Sequence, residues 1–419
     1  MKRRLVRLLH SLCGRRRCRW RFLAMRCMMA RTIQTASISH ASVGRTGEEW
    51  VQSEEPESAV QSLGRPAVDW TKIVVNVLLP IVGVLFALLV GAAMLLLLGA
   101  NPLAAYASLV HGAAGSSFGI TQTLVKATPL LLVGLGICIA FRANVINIGG
   151  EGQIIAGAIM ATWFPLTFHT WPGWLLIPAT MTVGFLAGAA WGFVPGILKA
   201  KLNVNEILST IMMNAIAVQL MNLLLQGPLM DPAEAAQGTF LAQSAQLPHQ
   251  VWLPRLVPRT LLHAGAIVAL LLTVVVFLLL WRTTTGYRIR AVGLNPEAAR
   301  YAGIKVPVYQ ALALTLAGGF AGLAGVGEVI GVQHRLLAGL TGGYGFTGIV
   351  AALLGGLHPF GLIPASILFG GLLVGADSMQ RAVQVPSALV TAILGLVVLF
   401  VSGSALWSRR WAARRGARR

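Results

Sequence analysis

The sequence predicts an all-α integral membrane protein with about ten transmembrane helices. Three observations lead there. The 419-residue chain is 56% hydrophobic and only 11% charged, which is more apolar surface than one soluble core buries, so lipid must cover the rest. Apolar runs of roughly 20 residues, enough to cross a ~30 Å hydrocarbon layer, recur from Lys72 onward. The formal charge of +20 gathers at the two ends and in a few short loops. That distribution orients a membrane protein, and it argues against a nucleic-acid partner.

Residues 1–31 hold eleven Lys or Arg and no acid, and residues 32–69 turn polar and acidic around Glu48, Glu49, Glu54, Glu55 and Glu57. Neither stretch can span a membrane. The first is rich in Arg like a targeting peptide but lacks the ~7–15-residue apolar core of a secretory signal. Residues 1–69 are therefore expected to form a disordered, dispensable cytoplasmic extension, with Met25, Met28 and Met29 as later starting points. Cys13, Cys18 and Cys27 lie in this basic stretch and Cys138 inside an apolar run. Their spacing matches neither a disulfide framework nor a zinc site, and no metal or cofactor is expected on the chain.

The transmembrane domain is expected over residues 70–405. Its first spans run from about Ile73 to Leu98 and from Ile120 to Phe141, closed by Arg142. A third begins after Gln153, a fourth covers Trp174 to Leu198 before Lys199 and Lys201, and a fifth covers Ile207 to Leu225. A polar loop leads to the sixth, Leu261 to Trp281, and a basic loop leads to the seventh, Val308 to Ile330. The apolar stretch Phe346 to Val374 is too long for one helix and is broken at His358-Pro359. Charge decides how to count it: the tail, residues 406–419, is rich in Arg and belongs on the cytoplasmic side with the N-terminus. Two spans there, and a last one over Ala388 to Leu406, bring both ends to one side.

A weak internal similarity joins Gly149-Gly150-Glu151-Gly152 to Gly342-Gly343-Tyr344-Gly345, and Val204-Asn205-Glu206 to Val385-Pro386-Ser387. Each pair is offset by five spans, as inverted-topology halves of five would be.

Three segments carry candidate chemistry. Asn144, Asn147, Glu151 and Gln153 crowd around glycines between two apolar runs. Polar groups at membrane depth must line water or bury against protein, so this is either a translocation-pathway element or a capped tight turn. Asn205, Glu206, Thr210 and Asn214 open the fifth span, with the last three at i, i+4, i+8 on one helical face. They either line a pathway or join helices. The loop from Gly286 to Ile304 includes Gly293, an expected N-cap at Asn295, Pro296 at the first helical position and a stop at Gly303. Between them Glu297, Ala298 and Ala299 form a short surface helix whose small residues suit docking in a partner's groove.

Those three segments, in that order, resemble ABC-transporter permeases of the branched-chain amino acid, ribose and nucleoside import class. The wording Gly-Gly-Glu-Gly-Gln and Val-Asn-Glu-Ile is most similar to nucleoside and simple-sugar permeases, and the resemblance covers roughly residues 73–403. It implies a pathway built with a second permease subunit, driven by cytoplasmic ABC ATPases that bind the ATP, and fed by an extracytoplasmic solute-binding protein in a bacterial inner membrane. The chain has no G-x-x-x-x-G-K-[ST] phosphate loop of its own. An ion-coupled secondary transporter is the contrasting class, for which only Lys126, Glu151, Glu206 and Glu328 offer relay groups.

Overall fold

Away from water a backbone must satisfy its own polar groups, so each apolar run closes its hydrogen bonds as a helix. The computed structural model describes residues 70–237 and 241–384, with positions 386, 392–393, 395–396, 399–400 and 403. Among these residues it is all helical, with isolated β-bridges and no strand. The expected extension (1–69), the basic tail (406–419) and most of the last span lie outside the described residues.

The helices are α1 (Trp70–Leu97), α2 (Pro102–Ala114), α3 (Ser117–Arg142), α4 (Gly150–Thr167), α5 (Gly173–Leu202), α6 (Glu206–Leu225) and α7 (Pro232–Gln237). After them come α8 (Gly265–Arg282), α9 (Thr284–Leu294), α10 (Pro296–Tyr301), α11 (Val306–Gly327) with a turn of π-helix at Glu328–Gln333, α12 (Tyr344–Leu354) and α13 (Pro359–Val383).

Six of these are long and apolar enough to cross a membrane: α3, α5, α6, α8, α11 with its π turn, and α13. The expected count of ten is not reached among the described residues, and the departures have local causes. The third apolar segment starts at Gly150, so Glu151 and Gln153 lie inside its first turn instead of before it. The broken stretch near His358 divides unequally, into the 25-residue α13 and an 11-residue α12 that is ~16 Å long and too short to cross alone. The loop expected after α1 contains a helix, α2, capped by Asn101 through Leu103 N at 2.9 Å.

Helices α3 and α11 form the centre, each 83% buried over its most apolar window, whereas α6 and α8 are only 28% buried. Small residues allow this close approach. A Cβ on Gly188 of α5 would lie 2.3 Å from the Gly318 carbonyl oxygen of α11, and one on Gly157 of α4 would lie 2.2 Å from that of Gly322. The packing pairs α11 with α5 and α3 with α13. Both α5 and α13 end on a left-handed residue, Asn203 (φ 51°) and Gln384 (φ 53°), just before the two sequence segments paired above.

The connection from α6 to α8 is tied to the chain that leaves α11. Ser244 N donates to Leu336 O at 2.9 Å, Leu247 N to His334 O at 2.9 Å and Leu253 N to Ile330 O at 3.0 Å. Trp252 stacks on His334 with ring centroids 3.8 Å apart. His263, buried beneath Gly331, has its pKa pushed down to about 4 by burial and then by the charge of His334. Burial also lowers that of His334, followed by the nearby Arg255.

Candidate functional site

The glycine-rich segment builds a junction of two helix starts. Chain leaving α3 turns at Asn144, which is exposed and takes a left-handed φ of 57°. It is anchored there by Arg142, whose Nη2 donates to Leu357 O at 3.2 Å and whose guanidinium lies 5.1 Å from the Trp281 ring centre. The chain then re-enters the bundle and starts α4 at Gly150.

A helix start leaves backbone N–H groups without intrahelical partners, and a buried one must find them elsewhere. Asn147 Oδ1 accepts from Gly149 N at 2.9 Å, while its amide exchanges bonds with the Gln153 amide at 3.0 and 3.3 Å. Asn214 on α6 accepts from Gly152 N at 2.8 Å and donates to Ile148 O at 2.9 Å. Glu151 Oε1 accepts from Gly345 N at 2.8 Å, in the first turn of α12. The carboxylate thus sits at the starts of two helices, where aligned backbone dipoles favour negative charge. Gly345 has no room for a side chain, since a Cβ there would lie 2.4 Å from Glu151 N, and Gly150 is tight, with a Cβ 3.0 Å from Gly345 Cα. The two segments matched in sequence therefore abut.

Of the eight polar residues singled out from sequence, Asn147, Glu151, Gln153 and Asn214 meet in this network, and Thr210 packs beside it, next to Gly149. The Thr210 hydroxyl donates to Glu206 O at 2.7 Å. Glu206 pairs with Lys199 at 3.0 Å, and Asn205 is the exposed N-cap of α6, accepting from Ile207 N at 2.9 Å. Each of these seven is bonded within the chain.

A second polar group lies on the other side of the junction. Lys126 Nζ on α3 donates to the Tyr344 hydroxyl at 2.8 Å, and Glu328 lies close to Tyr344. Tyr344 and Glu328 are buried, and Glu328 opens the π-helical turn, an irregularity frequent at functional positions. Lys126 also lines a cleft of about 390 Å³ between α2, α3 and α13, with Gln122 and Asp377. Lys126 and Glu328 are visible in the sequence as ionisable groups in apolar runs, but their meeting at Tyr344 is not. Asp377, near the end of α13, carries no sequence signal beyond its charge.

In the loop after α8, Asn295 Oδ1 caps α10 by accepting from Glu297 N and Ala298 N at 3.0 and 3.1 Å, and Gly303 ends it with a φ of 79°. Gly293 packs on the Arg142 carbonyl oxygen. One expectation needs correction. Ala299 is not on the free face: it is 4% exposed and packs with Val292 and Val306, because the following turn folds α10 back onto α9 and α11. Glu297 and Ala298 are exposed, as are Leu294 (88%) and Tyr301 (95%).

Comparison with known proteins gives the family. The model of the branched-chain amino acid transport system / permease component family matches residues 119–402. The chain is 35% identical to the guanosine ABC transporter permease protein NupP of Bacillus subtilis over 78% of its length and 94% of the relative's. It is 34% identical to the nucleoside ABC transporter permease protein NupB of Lactococcus lactis, covering 78% and 91%. It is 36% identical to the glucose ABC transporter permease protein TsgB13 of Haloferax volcanii, covering 79% and 88%. No solved structure matches. With six apolar helices long enough to cross a membrane and a family match over most of its length, this multi-pass membrane chain belongs to the permease components of the branched-chain amino acid transport family.

Proposed function

We propose that the chain is the permease subunit of an ATP-driven nucleoside importer in a bacterial inner membrane. The observation that carries this is its similarity to the guanosine and nucleoside permeases over nine tenths or more of their lengths. Simple sugars are the second reading, favoured by the comparable identity to the glucose permease. A second permease subunit completes the pathway, cytoplasmic ATPases bind and hydrolyse ATP, and an extracytoplasmic binding protein delivers the solute. No cofactor is assigned to the chain itself.

Ten spans arranged as two inverted halves of five account for several features together. They explain the exchange packing of α11 on α5 and α3 on α13, the paired left-handed ends at Asn203 and Gln384, and the abutting glycine segments. The charge pattern then assigns both termini and the loop after α8 to the cytoplasm. Residues 1–69 remain a dispensable extension in this reading.

The exposed Leu294, Ala298 and Tyr301 form the surface offered to the ATPase, so closure of the ATPase pair pushes α9 and α10 and biases the bundle between outward and inward states. Uptake of labelled guanosine and glucose by cells carrying the assembled transporter tests the reading. Saturable, ATP-dependent guanosine uptake is expected, and uptake of glucose alone would replace the nucleoside assignment with the sugar one. Ala298→Glu should abolish uptake while leaving membrane levels near those of the parent, because that position is solvated. Full uptake by that variant would remove the coupling role from the loop.

A further inference from the structure

The amides of the helix junction are bonded to one another, so they offer little to a passing solute. Two polar side chains without a hydrogen bond or ion pair among the described residues, Gln122 and Asp377, line the cleft between α2, α3 and α13. We propose that this cleft holds the solute on its way into the bundle, with Gln122, Lys126 and Asp377 as the contacting side chains; the assignment rests on the importer reading above.

Lys126 interrupts a helix that is otherwise buried among apolar neighbours. An ammonium at that depth is costly and marks a functional position by default. One of its three donors is held by the Tyr344 hydroxyl, which fixes the head group at the cleft wall and leaves two donors for another partner. Gln122, one turn earlier on the same face, is half-buried, and Asp377 on α13 is exposed. Among the described residues neither side chain makes a hydrogen bond or an ion pair, in contrast to Asn147, Gln153 and Asn214. Polar groups left unpaired in a span are expensive unless something polar meets them.

The chemistry of the set selects the ligand class. Lys126 supplies donors, Asp377 acceptors and Gln122 both, and Arg381 and His111 line the same cleft, so two permanent cations stand against one carboxylate. Such walls, richer in donors than in acceptors, suit a solute that carries carbonyl or ring-nitrogen acceptors together with hydroxyl groups. A nucleoside has both. The cleft volume of about 390 Å³ falls within the ~300–1,000 Å³ of small-molecule sites. Its lining comes from the first turns of α3 and the last turns of α13, the ends that the charge pattern assigns to the extracytoplasmic face. Its inner wall is contiguous with Tyr344, the first residue of α12, so a solute held there sits directly above the junction of helix starts.

The test uses the full transporter in membrane vesicles, with labelled guanosine as probe. Asp377→Asn and Gln122→Ala change exposed or half-buried positions, so their folding is not at stake. Each should lower guanosine uptake at least tenfold at equal amounts of assembled complex. Leu103→Ala, an exposed position on α2 outside the cleft, should not. Independently, with Cys13, Cys18 and Cys27 replaced by serine, Gln122→Cys should react with a membrane-impermeant thiol reagent added from outside. Guanosine-loaded binding protein should slow that reaction. Uptake within twofold of the parent for both cleft variants overturns the proposal, as does a Gln122→Cys thiol that the external reagent never reaches. A parent transporter that carries glucose but not guanosine overturns the nucleoside reading alone, and the same variants then test the cleft with glucose as probe.

Discussion

Removing the Glu151 side chain tests whether the junction of helix starts holds the bundle together. In the parent, Glu151 Oε1 accepts the Gly345 N–H at 2.8 Å with both residues buried. Glu151→Ala leaves that N–H without a partner away from water, which costs ~1–3 kcal/mol. It also removes the acidic group from two helix starts, worth ~0.3–1 kcal/mol each and more when partly buried. The sum is about 3 kcal/mol. Glu151→Gln keeps an oxygen opposite the Gly345 N–H and loses mainly the helix-start term, about 1 kcal/mol. Thermal unfolding of the detergent-purified protein, together with its yield in membranes, should rank the parent above Glu151→Gln and Glu151→Ala lowest. Equal damage from Gln and Ala would show that the hydrogen bond is not what matters. Parent-like stability of Glu151→Ala would refute the junction as a stabilising element.

Three further outcomes follow from the packing, the histidines and the charge pattern. Gly188→Leu forces a side chain against the Gly318 carbonyl oxygen 2.3 Å from its Cβ; it should cost about 3 kcal/mol or prevent assembly, whereas Leu186→Ala on the exposed face of α5 should be tolerated, and the two variants' membrane yields check this. His263 is held neutral in the folded state, with its pKa lowered to about 4 from 6.5. The unfolded chain therefore takes up the proton first on acidification, and stability present above pH ~6.5 falls by about 3 kcal/mol as the pH drops through ~4. The shift of His334 acts in the same direction. Melting temperature measured from pH 7 to 4 should show that decline, and His263→Asn should flatten it; an unchanged slope would remove His263 as the cause. Single cysteines in residues 226–259 should react with an impermeant reagent on intact cells and those in residues 282–306 should not, so external labelling of the second group would invert the orientation.

The sequence by itself determined what is local or periodic. Apolar runs long enough to cross a membrane had to become helices, because nothing else satisfies the backbone there. The Asn295 cap, Pro296 at the first helical position and the Gly303 stop are likewise readable, since each acts within a few residues. The same locality made Asn205 legible as a helix start. What the sequence left open is which face of each helix meets protein. The most apolar stretches of α3 and α8 have similar mean hydropathy, 2.1 and 2.4, yet one is 83% and the other 28% buried, because hydrocarbon and protein interior are equally apolar and hydropathy does not separate them. Ala299 was misjudged for a related reason: its burial depends on the turn that folds α10 back toward Val306, not on its own helix. Only the tertiary structure decided the polar pairings. Asn214 with Gly152, Glu151 with Gly345 and Lys126 with Tyr344 join positions 62, 194 and 218 residues apart. Each polar group at membrane depth must find a partner, but the need is written in the residue and the partner is chosen by the packing of helices distant in the chain.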